Sequence, residues 1–212
     1  MREKSSVISI TIIEDDTELL DLWGDVFQNQ RGILLFSSYT NCETALQHLQ
    51  EDEPDVVLMD IQLDGPMSGI DGVREIKHRL PETDVIMVTV NEDEDAVFDA
   101  LRAGASGYLL KHVSPDELLH AIQDVHNGGA PMSMSIGSKV VDYFKREDAL
   151  NTLTDREHQV LKLLCHGNSQ KQIAGVLGIS LDTVKFHCKH IYQKMGVKNA
   201  AEAAYVAGQR KP

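Results

Sequence analysis

Asp60 stands near the end of the run "PDVVLMDIQLDG" (residues 54–65), where Val56, Val57, Leu58, Met59 and Ile61 surround a single carboxylate. Such a run reads as a strand buried on both faces, and a buried charge is costly unless something pairs with it. Other strand-like runs also end on residues able to do chemistry. "VISITII" (7–13) runs out into Glu14, Asp15 and Asp16, "DVIMVTV" (84–90) ends near Thr89, and "GYLLK" (107–111) ends at Lys111. In an open parallel sheet these positions would crowd one edge, beyond the carboxyl ends of the strands, where ligands bind. Several carboxylates there repel one another unless a cation is present, and an all-oxygen ligand set suits Mg²⁺. A lysine and a hydroxyl nearby suit a transferred phosphoryl group, whose equatorial oxygens carry the charge. Asp60 then shares a metal and faces Lys111. Taken singly, each residue has a plainer reading: Asp16 is placed to cap a helix, and Lys111 to sit in solvent. The joint placement at the strand ends carries the chemical reading.

The elements that must position these residues are legible in the first 127 residues. Strand candidates at 7–13, 33–39, 55–60, 84–90 and 107–111 alternate with helix-period segments, the last of them "SPDELLHAIQDVHNG". Five strands alternating with five helices imply a parallel sheet covered on both faces. The last helix opens on a capping box, Ser114 with Glu117, has Pro115 in its first turn, and ends at Gly128-Gly129. Residues 128–151, "GGAPMSMSIGSKVVDYFKREDALN", break the alternation and read as a loosely packed linker with room for one short amphipathic helix. From 152 to 212 the pattern is helical: Thr154 with Glu157, Ser169 with Gln172, then Ser180 and Asn199, open four short helices.

Bulk properties fit two domains with different partners. Through residue 130 there are 8 Lys/Arg and 26 Asp/Glu, a charge of −18; from 131 onward there are 12 and 7, a charge of +5. No apolar run approaches membrane-spanning length, and the N-terminus enters a strand-like run without a leader's cleavage site. Cys42, Cys165 and Cys188 lack metal-ligand spacing and suit reduced thiols in a cytoplasm.

With these residues in place, the first half resembles the receiver domain of two-component response regulators, in which an aspartate accepts phosphate from a histidine kinase. The resemblance covers residues 7 to about 127 and implies a flavodoxin-like, doubly wound five-stranded sheet. It implies Glu14 and Asp15 as the acidic pair that holds Mg²⁺, with Asp60 and the backbone carbonyl of Gln62, and Asp60 as phosphoacceptor. It further implies Thr89 as the switch hydroxyl, Tyr108 as the switch aromatic and Lys111 as the site lysine. The sequence departs from that pattern after the acceptor: Pro66 stands six residues on and Gly69 nine on, so the loop is one residue longer than usual. Val90 follows the switch threonine where a small residue is usual, which predicts slower phosphoryl turnover, and His112 follows Lys111 where many receivers have proline.

In the tail, "ISLDTVKFHCKHIYQKMG" carries Lys185, His187, Lys189, His190 and Lys194 on one helix, while Val184, Ile191 and Met195 recur at helical spacing on another side. The glycine-bearing turn "VLGIS" joins it to the preceding helix, a helix-turn-helix arrangement whose second helix would enter the major groove. The lysines would mostly neutralise phosphates, with Thr183, Lys185 and Lys189 placed to reach base edges. From charge alone a solvated basic face fits as well. The motifs "LTDRE", "G-x-S-x-K-x-I-A" (which contains Lys171), "LGIS" and "TVKxH…I-x-x-K-x-G-V" resemble the LuxR-type DNA-binding domain. Receiver plus this domain is the NarL/LuxR-type architecture.

The reading is therefore a cytoplasmic, phosphorylation-controlled transcription regulator, not an enzyme. Its expected partners are a sensor histidine kinase, double-stranded promoter DNA and, when phosphorylated, a second copy of itself. Phosphate on Asp60 would draw Thr89 inward and Tyr108 after it, and the acidic front would cease to mask the basic back. Two rivals stay open. Aspartyl-phosphate phosphatases share the Mg²⁺ site but carry a second aspartate where Gln62 stands, and Gln62 cannot transfer protons that way. A receiver that works without phosphorylation is disfavoured by the complete set Glu14, Asp15, Asp60, Thr89 and Lys111.

Overall fold

The computed structural model describes residues 7–28 and 30–208. Residues 1–6, on which the expectation of no leader partly rests, and 209–212, at the end of the expected helical domain, lie outside them. The chain divides into two compact units, Met1–Lys139 and Val140–Pro212.

The first unit is a five-stranded parallel sheet in the order β2-β1-β3-β4-β5. Its strands are β1 (Ile8–Ile13), β2 (Ile33–Tyr39), β3 (Val56–Met59), β4 (Asp84–Thr89) and β5 (Gly107–Leu110). The helices between and after them are α1 (Thr17–Gln28), α2 (Cys42–Asp52), α3 (Gly69–Arg79), α4 (Glu94–Ala103) and α5 (Pro115–His126). The central strand β3 is wholly buried from Val56 to Met59, as its unbroken apolar run requires. On one face Ile10, Ile12, Val56, Leu58, Ile86 and Val88 pack against Trp23 and Phe27 of α1 and Leu118, Ile122 and Val125 of α5. The expected doubly wound sheet is the observed one; β2 matches its run, and the other four strands are a residue or two shorter than theirs.

Register brings the functional residues together. Ile13 pairs with Met59, and Met59 with Met87. The ladder continues one step past the strands: Asp60 N–H donates to the Ile13 carbonyl (3.0 Å) and Lys111 N–H to the Thr89 carbonyl (2.9 Å). Glu14, Asp60, Thr89 and Lys111 thus share one edge of the sheet. Chain reversal after Asp60 depends on Gly69, whose N–H donates to the Ile61 carbonyl at 2.9 Å. A Cβ there would lie 1.8 Å from the Asp60 carbonyl oxygen, so only glycine lets α3 start so close to β3.

The segment expected to be a loose linker is largely ordered. Tyr108 N–H donates to the Pro131 carbonyl (2.9 Å), and Ser133 N–H returns a bond to the Tyr108 carbonyl (3.1 Å). Residues 131–133 therefore lie along β5 as a short strand-like addition. An 18-residue helix, α6 (Met134–Asn151), follows. The composition hid this because few of its residues are buried. Ile136 is buried, and Leu150 belongs to the core of the second unit.

That second unit holds α7 (Asp155–Cys165), α8 (Gln170–Leu177), α9 (Leu181–Met195) and α10 (Ala200–Gly208). They close over Val160, Leu161, Leu164, Ile173, Val184, Ile191 and Ala203. Capping boxes at Thr154/Glu157 and Ser169/Gln172, and the Ser180 cap, start three of the helices where the sequence places them.

Candidate functional site

Asp60 is buried, and both of its oxygens are engaged. Oδ1 accepts from the Ile61 N–H at 2.6 Å, and Oδ2 from Lys111 Nζ at 2.7 Å. The same ammonium lies 2.8 Å from the Glu14 carboxylate, which is also fully buried. Burial pushes the Glu14 carboxyl up, against the bond from Lys111, and the nearby Asp60 charge adds to the rise. Burial alone would lower the Lys111 ammonium, but its bonds to Asp60 and Glu14 outweigh that and raise it. It stays charged at neutral pH.

Three carboxylates, Glu14, Asp15 and Asp60, bring oxygens within 4.8 Å of one another. One ammonium faces them, leaving excess negative charge in a largely buried place. Lys111 Nζ donates to Glu14 Oε1 and lies 2.8 Å from Oε2 as well, so the one ammonium serves both oxygens of Glu14 as well as Asp60. Three carboxylates sharing one ammonium, in an all-oxygen cluster, fit a hard divalent cation. Asp16, in contrast, is spent on structure: its Oδ1 accepts from the N–H groups of Glu18 (3.0 Å) and Leu19 (3.2 Å) and caps α1. Thr89 is buried at the same edge, with Oγ1 accepting from Asn91 N–H at 3.3 Å. Tyr108 is fully buried, and its hydroxyl donates to the Asn91 carbonyl at 2.8 Å. The inward position expected to follow Thr89 is thus already occupied in this structure. Val90, which follows Thr89 at the end of β4, is 67% exposed.

In the helical unit, Val184, Cys188, Ile191 and Met195 form the buried stripe of α9. At 3.6 residues per turn the opposite stripe is Asp182, Phe186, Lys189 and Gln193. Lys185 lies beside it, 3.3 Å from Asp182.

The amino-terminal part matches the family model described as the response regulator receiver domain over residues 10–123. Residues 151–207 match that of the bacterial regulatory proteins of the luxR family. The chain is 33% identical to the transcriptional regulatory protein LnrK of Bacillus subtilis, over 93% of this chain and 95% of the relative. It belongs to the LuxR-type response regulators. The regulator is also 30% identical to the oxygen regulatory protein NreC of Staphylococcus aureus, over 96% of its own length and 98% of the relative's. Among solved structures it shares its fold with the RcsB response regulator of Salmonella typhimurium, with TM-score 0.67 at 19% identity over 96% of this chain and 99% of that one. A LuxR-family response regulator from Aurantimonas covers 65% of this chain and 97% of its own, with TM-score 0.61 at 26% identity.

Glu14, Asp15, Asp60 and Lys111 come together, with Thr89 and Tyr108 on the adjoining strands. Gln62 is exposed two residues beyond Asp60. On the helical unit, Lys171, Lys185 and Lys189 are exposed, and Thr183 and His187 half-buried. Two of the expected DNA contacts also face an acid of their own unit. Lys194 Nζ is 2.7 Å from Glu157 Oε2 and 3.0 Å from the Thr152 carbonyl, and His190 Nδ1 lies 3.9 Å from Glu157 Oε1. Glu157 is a buried capping-box acid and needs a counter-charge, so the Lys194 ammonium is committed inside its own unit. Sequence reasoning missed Phe186, which is 56% exposed at the middle of the outward stripe and 4.2 Å from the His190 ring. The helical wheel of α9 contains that signal once its buried stripe is known.

Proposed function

We propose that the regulator accepts a phosphoryl group on Asp60 from a sensor histidine kinase and, in that form, pairs with a second copy and binds promoter DNA. The observation that carries the reading is the bridge Asp60–Lys111–Glu14: a buried acceptor held by an ammonium that can follow charge onto phosphoryl oxygens. Glu14, Asp15, Asp60 and the Gln62 carbonyl would hold Mg²⁺, which supplies charge neutralisation for the transferring group. Thr89 and Tyr108 act as the switch. Since Tyr108 is already buried, phosphorylation locks the Thr89–Asn91–Tyr108 connection, with the Thr89 hydroxyl donating to the phosphoryl group while it still accepts from the Asn91 amide.

Lys171, Lys185 and Lys189 contact backbone phosphates or base edges, with Thr183 and His187 beside them, and Phe186 offers an apolar contact of the kind a thymine methyl accepts. With glutamine at position 62 no second acid serves turnover of an external substrate, so the chain regulates rather than catalyses. Among the described residues no helix is long and apolar enough to cross a membrane, and this reading puts the protein in the cytoplasm.

The test is intact mass after incubation with acetyl phosphate and Mg²⁺, with Asp60→Asn as control, beside gel filtration. One added phosphate, absent in the variant and accompanied by a shift toward dimer, is expected. A wild type that takes up neither phosphate nor beryllofluoride refutes the reading.

A further inference from the structure

The loop after Asp60 is gripped by a side chain of α2, Glu43. Its base is closed by the Gly69 N–H bond to the Ile61 carbonyl. Ile61 is itself tied to Asp60 through its N–H, at 2.6 Å. Residues 62–68 therefore leave and return at the acceptor, and Gln62 and Asp64 to Pro66 are exposed. The far side of the loop is held by Glu43, in the first turn of α2. Glu43 Oε1 accepts from the Met67 N–H at 3.0 Å. Gly65 has φ +126°, and a Cβ there would come 3.0 Å from Glu43 Oε2, so the loop needs glycine to pass the carboxylate. Next to Glu43, the buried Cys42 lies 3.7 Å from the Ser68 carbonyl and 3.8 Å from the Met59 sulfur, so the start of α2 is itself anchored against β3.

We infer that Glu43 is a positioning residue for phosphoryl chemistry: it pins the extended loop to α2 and thereby sets the path of Gln62 and the Mg²⁺ affinity of the acceptor site. The inference rests on the reading of Asp60 as phosphoacceptor. A loop of residues 62–68 closed only at its base has many conformations, and each freed residue dilutes the geometry in which the Gln62 carbonyl faces the carboxylates. A charged acceptor on a backbone N–H is the strong form of hydrogen bond and opposes that freedom. Glu43 touches no reacting atom and acts only through the loop.

The experiment uses full-length protein and three variants, Glu43→Ala, Glu43→Gln and Gly65→Ala. Amide hydrogen exchange of the 61–69 segment without metal should speed up in Glu43→Ala and Gly65→Ala. Mg²⁺ affinity by calorimetry should weaken about tenfold in both, the scale on which supporting residues act at metal sites. Glu43→Gln, whose side-chain oxygen still accepts from Met67, should stay within about threefold of wild type. Melting temperatures separate loop release from unfolding, and Gly65→Ala perturbs the grip from the other side should Glu43→Ala fold poorly. Wild-type Mg²⁺ affinity and exchange in both Glu43→Ala and Gly65→Ala overturn the inference while leaving Asp60 as acceptor intact. A wild type that takes up no phosphate overturns both.

Discussion

Replacing Lys194 by methionine separates a structural lysine from a DNA-binding one. The lysine faces Glu157, whose side chain is 4% exposed. Burial pushes the Glu157 carboxyl up, but the Lys194 bond and the Thr154 cap outweigh it and hold it at about 2, against 4.5 for a free glutamate. A shift of that size is worth about 3 kcal/mol. Thr154 supplies part of it, and the Lys194 side chain is 32% exposed, so solvent screens the pair. The lysine's share is then about 2 kcal/mol, most of it the cost of leaving a buried carboxylate without a counter-charge. In the full-length chain this should appear as roughly thirtyfold faster amide exchange through global opening of α7 and α9, with β3 amides unchanged. The pH dependence has a definite sign. Because Glu157 is depressed in the folded state, its contribution is fully present above the unfolded value near 4.5 and is lost as pH falls toward about 2. Wild type and Lys194→Met should therefore converge in stability as pH falls through that window. Glu157→Gln combined with Lys194→Met should recover part of the loss at neutral pH. Equal protection of α7 and α9 in wild type and Lys194→Met, with weaker DNA binding in the variant, would refute this reasoning and return Lys194 to the DNA interface.

Three further outcomes follow from the same geometry. Gly69→Ala forces a Cβ onto the Asp60 carbonyl and should destabilise the receiver by about 2 kcal/mol or more, read as a lower urea midpoint; an unchanged midpoint would mean that the β3–α3 junction yields freely. Lys185→Ala should weaken binding to a native promoter and lower the log–log salt slope by about one unit, whereas Phe186→Ala should weaken it with the slope unchanged; equal slope losses would assign no apolar contact to Phe186. Val90→Ala removes an exposed side chain next to Thr89 and should speed both phosphorylation and dephosphorylation in rapid-quench assays, and unchanged rates would show that Val90 does not stand in the approach path.

Alternation of apolar runs with helix-period segments was enough to specify the parallel sheet, because a strand buried on both faces must be apolar throughout, and only strand–helix alternation covers such a sheet. Carboxylates at the ends of β1 and β3, with a lysine after β5, were legible for the same reason: sheet register, set by those runs, leaves the following residues no other edge to occupy. Capping boxes at Ser114, Thr154 and Ser169 are local hydrogen bonds, so a few residues of sequence determine them.

Tertiary structure alone decided what each charge faces. Lys194 and Lys189 are equally basic in sequence, yet one turns to Glu157 and the other lies on the outward stripe of α9, because a buried carboxylate 37 residues away in the chain must be neutralised. Pro131 to Ser133 read as loose linker because their bonds go to β5, a partner that composition does not reveal. Glu43 gave no sign of its grip on the loop after Asp60, since that contact joins α2 to residues 24 positions on and exists only once Gly65 passes the carboxylate. Spacing along the chain governs what neighbours can do, and the desolvation of a charge or the closure of a loop is settled by groups that only folding brings near.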